Sequence, residues 1–107
     1  MAVLFLRIWD SLPYTRTGGH IAYQLLRSGT SPAPNYAEAR GAESDKDFIH
    51  KLGIVLKELN ESHVWLNIIE RSAMLPQEDL TDLKQECTTM CRIIAASINT
   101  VKKRCGT

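Results

Sequence analysis

The sequence lacks several features that would place it in a broad functional class. Its formal net charge is only +1, from 13 Lys and Arg against 12 Asp and Glu, whereas a nucleic-acid-binding module normally carries a larger positive excess. Binding to a phosphate backbone would therefore need a local basic patch. No apolar run is long enough to cross a bilayer. The apolar start is broken by Arg7 and Asp10 and has no basic n-region or small-residue cleavage site, so it predicts no signal peptide.

Motifs for metal binding and catalysis are also scarce. The three cysteines are Cys87, Cys91 and Cys105, and an odd number without a paired framework is typical of reduced thiols in the cytoplasm. Cys87 and Cys91 share a helix face, but a closed zinc site needs four ligands, so core packing is favoured. No serine lies in a strand–turn–helix elbow. The sequence predicts no enzyme activity, no cofactor, no metal site and no evident small-molecule substrate.

Helical periodicity dominates what is present, and no segment shows the period-two pattern of a strand. A predicted third helix, residues 44–73, and a fourth, residues 76–104, carry apolar residues at steps of three and four, which puts each set on one helix face. Such a helix is stable only when other helices cover that face. We therefore expect one all-α domain over residues 1–107. The seam residues are Phe48, Leu52, Val55, Leu59, Ser62, Leu66 and Ile69, then Leu80, Leu83, Cys87, Met90, Ile94, Ile98 and Val101.

The first two predicted helices are less regular. The second, about residues 17–40, contains Pro32 and Pro34, and a proline inside a helix costs about 3 kcal/mol. The cost is avoided if Gly29 closes one piece and Ser31 caps the next with Pro32 in its first position. This pattern predicts a kink near residues 29–32. The first helix, about residues 2–11, is short, and its packing candidates are Val3, Leu4, Leu6, Ile8 and Trp9.

A set of polar residues at fixed spacing begins in the second helix and runs into the third. The pattern consists of Gln24, Arg27, Ser31, Asn35, Glu38, Ala39, Ser44, Asp47, Phe48, Lys57, Glu58 and Leu59. With the later segments WLNIIERSAMLP and CRIIAASI, it resembles the four-helix bundle proteins first noticed in intervening sequences of 23S ribosomal RNA genes. The resemblance covers about residues 13–104.

This resemblance implies an up-and-down antiparallel four-helix bundle in a bacterial, cytoplasmic homo-oligomer. The resemblance implies a ring-shaped pentamer as the oligomer. Some relatives are accessory proteins of diversity-generating retroelements. The biochemical role of most members is unassigned. The short first helix departs from the family pattern, since at 1.5 Å per residue it covers roughly a third of the third helix. Part of the seam between helices two and four should therefore stay uncovered in the chain as given. Either the true start lies upstream of Met1 or a neighbouring subunit fills the gap, and we favour the upstream start.

Two residue sets are candidates for function. The first is a polar network that fixes the kink and the helix register, or else forms a subunit contact or ligand-facing rim. It comprises Gln24, Arg27, Asn35, Glu38, Lys57 and Glu58. The second is a basic set that a ring could gather into one field for RNA or DNA, although interleaved carboxylates also fit an ordinary mixed-charge surface. It comprises Arg16, Arg27, Arg40, Lys46, Lys51 and Lys57.

These sets leave two hypotheses open. In the first, the protein is a non-enzymatic oligomeric scaffold that acts on RNA or DNA. In the alternative, it is a protein–protein interaction module with no nucleic-acid role.

Overall fold

The chain forms a bundle of four rods. The computed structural model describes residues 2–106, with side chains from Phe5 onward. Its helices are α1 (Ala2–Ser11), α2 (Arg16–Thr30), α3 (Pro32–Arg40), α4 (Asp45–Arg71) and α5 (Gln77–Arg104). Segments α2 and α3 together are the predicted kinked second helix, and no strand occurs in the described range. The all-α four-helix bundle is therefore confirmed.

Contacts between α4 and α5 show that successive rods are antiparallel. Arg104, at the end of α5, donates to the Asp45 carboxylate at the start of α4 over 2.9 Å. Lys84, early in α5, donates to Glu70, near the end of α4, over 2.8 Å. Two long amphipathic helices joined by a short turn bury their apolar seams most completely in this arrangement.

The kink between α2 and α3 is confirmed, but its predicted capping is wrong. Ser31 has helical backbone angles (φ −63°, ψ −37°) and its side chain makes no capping bond to the α3 backbone. Its amide donates to the Arg27 carbonyl at 3.2 Å, and the Asn35 amide donates to the Ser31 carbonyl at 3.3 Å. Gly29 lies inside α2 and does not close it. Helical hydrogen bonding therefore continues around the kink, because Pro32 sits where no amide donor is needed.

The predicted seams of the two long helices form the core. In α4, Phe48 is half-buried and the other seam residues are buried. In α5, only Met90 and Ile98 are half-buried, and the other seam residues are buried. Burial of a large aliphatic side chain contributes roughly 1.5–3 kcal/mol as an upper bound, so this packing outweighs the glycine and proline costs.

Of the packing residues predicted for α1, Ile8 is buried, but Leu6 and Trp9 are not. Phe5, Ile8 and Leu12 are buried, whereas Leu6 and Trp9 are 46% and 40% exposed. The side chains of Val3 and Leu4 lie outside the described part of the structure. Spacings of three and four residues put Phe5, Ile8 and Leu12 on one face, which explains why Leu6 and Trp9 point away from the core.

The core consists of two clusters along the long axis of the molecule, and α1 covers only one of them. The first cluster includes Phe5 and Ile8 of α1 and Leu12, which directly follows α1, packed against α2, α4 and α5. The second draws its buried residues from α3, α4 and α5 alone, namely Ala39, Leu52, Val55, Leu59 and Ile94. The second cluster is therefore surrounded by three helices, whereas the first is surrounded by four.

Candidate functional site

An apolar groove, the α3–α5 groove, opens over the second cluster. It encloses about 230 Å³, and its lining residues are Gly29, Pro32, Ala33, Tyr36, Val55, Leu59, Met90 and Ile94. Buried side chains of α4 form the floor, and α3 and α5 form the walls. The groove lies where the sequence predicted an uncovered seam. Its lining carries no acidic or basic side chain, which suits it to receive apolar side chains.

One end of the groove is closed by contact between α1 and α2. A Cβ built on Gly29 would lie 2.5 Å from two ring carbons of Phe5, so the two helices approach as closely as a side-chain-free position allows. Tyr36, on the α3 wall, is 43% exposed. Ile93 is 52% exposed and lies three residues after Met90, on the neighbouring surface of α5. Large apolar side chains therefore extend from the groove onto the outer surface.

The charged members of the predicted polar network tie the kinked helix to α4. Arg27 of α2 lies 3.2 Å from the Glu61 carboxylate and 3.7 Å from that of Glu58. Glu38 of α3 accepts from Lys51 at 3.0 Å. These contacts hold α2 and α3 against successive turns of α4 and so help to fix the register.

The other three members of the network, Gln24, Asn35 and Lys57, behave differently. Asn35 donates to the carbonyl and hydroxyl oxygens of Ser31, each at 2.9 Å, and so braces the kink. Gln24 is half-buried, and Lys57 is exposed. Neither side chain forms a hydrogen bond or ion pair within the described residues, although the positive charge of Lys57 acts to lower the pKa of the neighbouring Glu58.

A buried hydroxyl pair between α2 and α4 was not foreseen from the sequence. The hydroxyls of Ser28 and Ser62 lie 2.9 Å apart, and both residues are fully buried. The Ser62 hydroxyl also lies 3.0 Å from the Glu58 carbonyl oxygen. The only sequence signal was the position of Ser62 within the apolar seam of α4. The hydrogen bond between the two hydroxyls forms only in one register of α2 on α4, although each hydroxyl also reaches a carbonyl of its own helix.

Glu58 is the buried ionisable group of this interface. One of its carboxylate oxygens, Oε2, is buried without a hydrogen-bond partner. Burial, followed by the neighbouring Glu61, raises the pKa of Glu58 above its usual 4.5, and the smaller effect of Arg27 opposes the shift. The Glu58 carboxylate lies on the side of α4 that contacts α2. It is not among the residues that line the α3–α5 groove.

The predicted basic set is spread along the length of the kinked helix and α4. Arg27 and Lys51 are engaged in the ion pairs with carboxylates described above. Arg16 begins α2 and Arg40 ends α3, so the two are separated by roughly 36 Å along the kinked helix at 1.5 Å per residue. Arg40 and Lys46 flank the turn before α4. With Lys57, these exposed cations form no ion pair within the described residues.

The cysteines are free thiols and their environments disfavour reactivity. Burial raises the pKa of Cys87 to about 12, and burial also raises the pKa of Cys91. Cys105 is exposed, and its hydrogen bond to Asp45, at 3.0 Å, raises its pKa as well. Over residues 2–106, no group of three or more His, Cys, Asp or Glu side chains is placed to hold a metal ion. Over the same range, no helix is both long and apolar enough to traverse a lipid bilayer.

Comparisons with known proteins agree with this architecture. Residues 3–96 match the family model for the 23S rRNA-intervening sequence protein. The fold is similar to the crystal structure of a protein of unknown function from the S23 ribosomal protein family of Bacteroides thetaiotaomicron. The TM-score is 0.84 and the sequence identity 33%, over 91% of this chain and 90% of that one. Comparison with curated proteins gave no match. The chain belongs to the 23S rRNA-intervening sequence protein family.

Proposed function

We propose that this protein is a non-enzymatic scaffold that self-associates through the α3–α5 groove. The open apolar groove is the observation that carries the proposal. Its floor of Val55 and Leu59 belongs to the core, yet its upper side faces water in a single chain. Covering such a surface is favourable by about 25 cal/mol per Å² of apolar area removed from water. The proposed setting is the cytoplasm.

A second copy of the same chain is the proposed occupant, because the two ends of α5 carry opposite charge. The first turns of α5 hold Glu78, Asp79 and Asp82, whereas basic residues, including Lys103, fill its last turn. These groups lie roughly 36 Å apart along α5. A head-to-tail contact between copies would bring unlike charges together, and such a contact produces a closed ring when the rotation between subunits closes. A pentameric ring, as the family resemblance implies, is one such closed form.

A charge placed in the groove tests self-association without disturbing the core. Ala33 lines the groove and is exposed near the start of α3, where an acidic residue suits the helix dipole. We expect Ala33→Glu to dissociate the assembly, because a carboxylate buried between subunits loses its hydration. Ala96→Glu is the matched control, since Ala96 is exposed on a side of α5 away from Met90 and Ile94.

Light scattering after size-exclusion chromatography would measure the outcome. The wild type and Ala96→Glu should have the same multiple of 12.0 kDa, which for a pentamer is about 60 kDa, and Ala33→Glu should shift toward the single-chain mass. A wild type that stays at 12.0 kDa at all concentrations would refute self-association. Equal masses for the two variants would refute the groove as the interface.

The nucleic-acid part of the proposal depends on assembly. Arg16, Arg40, Lys46 and Lys57 remain exposed outside ion pairs within the described residues, and several copies would multiply this modest charge into a stronger field. We expect an electrophoretic shift of RNA or DNA at low salt that weakens steeply as salt increases. Ala33→Glu should reduce it more than Ala96→Glu, although both variants add one negative charge.

The alternative function is a protein–protein interaction module with no nucleic-acid role. The small net charge and the apolar groove favour it. An assembled wild type that shows no shift at low salt would support this alternative and remove the nucleic-acid role.

A further inference from the structure

A second groove, separate from the α3–α5 groove, lies where α1 turns into α2. We call it the aromatic groove and define it by Trp9, Asp10, Tyr14, Gly19, Tyr23 and Leu26, which line a cavity of about 430 Å³. It contains three of the seven Phe, Trp and Tyr residues of the chain. This concentration of rings needs an explanation because the groove lies outside the buried core.

The three rings are directed at solvent. Trp9 is 40% exposed, Tyr23 is 62% exposed and Tyr14 is completely exposed, whereas Phe5, on the opposite face of α1, is fully buried. The ring pair found among the described residues is the edge-to-face contact of His20 with Trp65. None of the three groove rings pairs with another ring among the described residues, and all three are accessible to another molecule.

The charge of the aromatic groove favours a cationic ligand. Asp10 is its one charged lining residue and forms no ion pair within the described part of the chain. A carboxylate beside aromatic faces attracts cations, because the ring quadrupole presents negative charge at its faces. A lining without a basic side chain gives an anion no partner.

We propose that the aromatic groove binds a small quaternary ammonium compound of the choline type. A quaternary ammonium cannot donate hydrogen bonds and gives up its hydration more readily than a primary ammonium, so aromatic faces and one carboxylate suffice to hold it. The volume lies within the range of small-molecule sites, about 300–1,000 Å³. The site is independent of self-association through the α3–α5 groove.

Tryptophan fluorescence tests the proposal directly. Trp65→Phe leaves Trp9 as the single tryptophan of the chain, and choline should change its emission in a saturable way. The neutral isostere 3,3-dimethyl-1-butanol should bind at least about tenfold more weakly, since it lacks the charge that the rings recognise. Calorimetry on the unmodified protein should give the same choline affinity. This measurement tests the proposal even if Trp65→Phe fails to fold.

A pair of glycine substitutions supplies the control. A Cβ at Gly19 or at Gly53 meets no atom within 4 Å, and both positions are exposed on helices, so we expect both leucine variants to fold. Gly19→Leu fills the aromatic groove and should weaken choline binding at least tenfold, whereas Gly53→Leu should leave it unchanged. Asp10→Asn should weaken binding without abolishing it.

Three results of the choline experiments would overturn the proposal. They are no saturable response to choline, equal affinity for choline and its neutral isostere, and equal loss in the two leucine variants. Binding to phosphatidylcholine vesicles without binding to free choline would also overturn it, because it would indicate a membrane surface as the partner.

Discussion

Replacement of Gly29 by alanine tests how the short first helix is held. The added methyl group would lie 2.5 Å from two ring carbons of Phe5 and 2.9 Å from a third. Phe5 is fully buried among the residues of the first core cluster, so its ring has little space into which to move. The clash must be relieved by a shift of the ring or by separation of α1 from α2.

The expected magnitude follows from two opposing effects. Overpacking of a core typically lowers the free energy of unfolding by about 1–3 kcal/mol, and alanine in place of a helical glycine raises it by about 1 kcal/mol. Gly53→Ala is the matched control, because its Cβ meets no atom within 4 Å. In this variant the free energy of unfolding should rise by about 1 kcal/mol, the gain of alanine over glycine in a helix. The two variants should therefore differ by about 1–3 kcal/mol, with Gly53→Ala the more stable.

Urea denaturation followed by far-ultraviolet circular dichroism would measure this difference by linear extrapolation. Protein concentration must be equal in all samples, since self-association stabilises the folded state by mass action. Phe5→Leu should make Gly29→Ala less harmful, because the smaller side chain leaves room for the methyl group. Equal stabilisation by Gly29→Ala and Gly53→Ala would refute the packing of Phe5 on Gly29.

Two further predictions concern the interface between α2 and α4. Ser28→Ala and Ser62→Ala should each lower the free energy of unfolding by about 0.5–1.5 kcal/mol, since each removes the hydrogen bond between the two hydroxyls while the remaining hydroxyl keeps a backbone carbonyl within reach. The double variant should cost less than the sum of the two, and strict additivity in the cycle would contradict the hydrogen bond. Because the pKa of Glu58 is raised on folding, the folded state binds more protons above pH 4.5. The free energy of unfolding should therefore fall as pH rises from 4.5 through the raised pKa. Glu58→Gln should remove this part of the slope, and parallel pH profiles for the two proteins would contradict the burial of the carboxylate.

The long helices were predictable because hydrophobic periodicity over many residues leaves one way to bury the seam. Leu52, Leu59 and Leu66 of α4 lie at steps of seven, and all three are fully buried. The short first helix offered several apolar faces of similar quality. The choice of Phe5 over Leu6 and Trp9 depends on the fit of its ring against Gly29, which periodicity does not reveal.

The partners of polar residues were harder to predict than the residues themselves. Arg27 and Glu38 lie on adjoining pieces of one kinked helix and have opposite charge, yet each pairs across to α4. Sequence spacing identifies neighbours within a helix, whereas neighbours on another helix depend on the crossing geometry. For the same reason, Ser62 was noticed in the seam, but its partner Ser28 was not.

Hydrogen–deuterium exchange at high and low protein concentration is the most direct test of self-association through the α3–α5 groove. Backbone amides of residues 32–40 and 90–101 should exchange more slowly at high concentration, and Ala33→Glu should abolish the difference. Exchange that is independent of concentration, or slowed only in segments away from the groove, would contradict it.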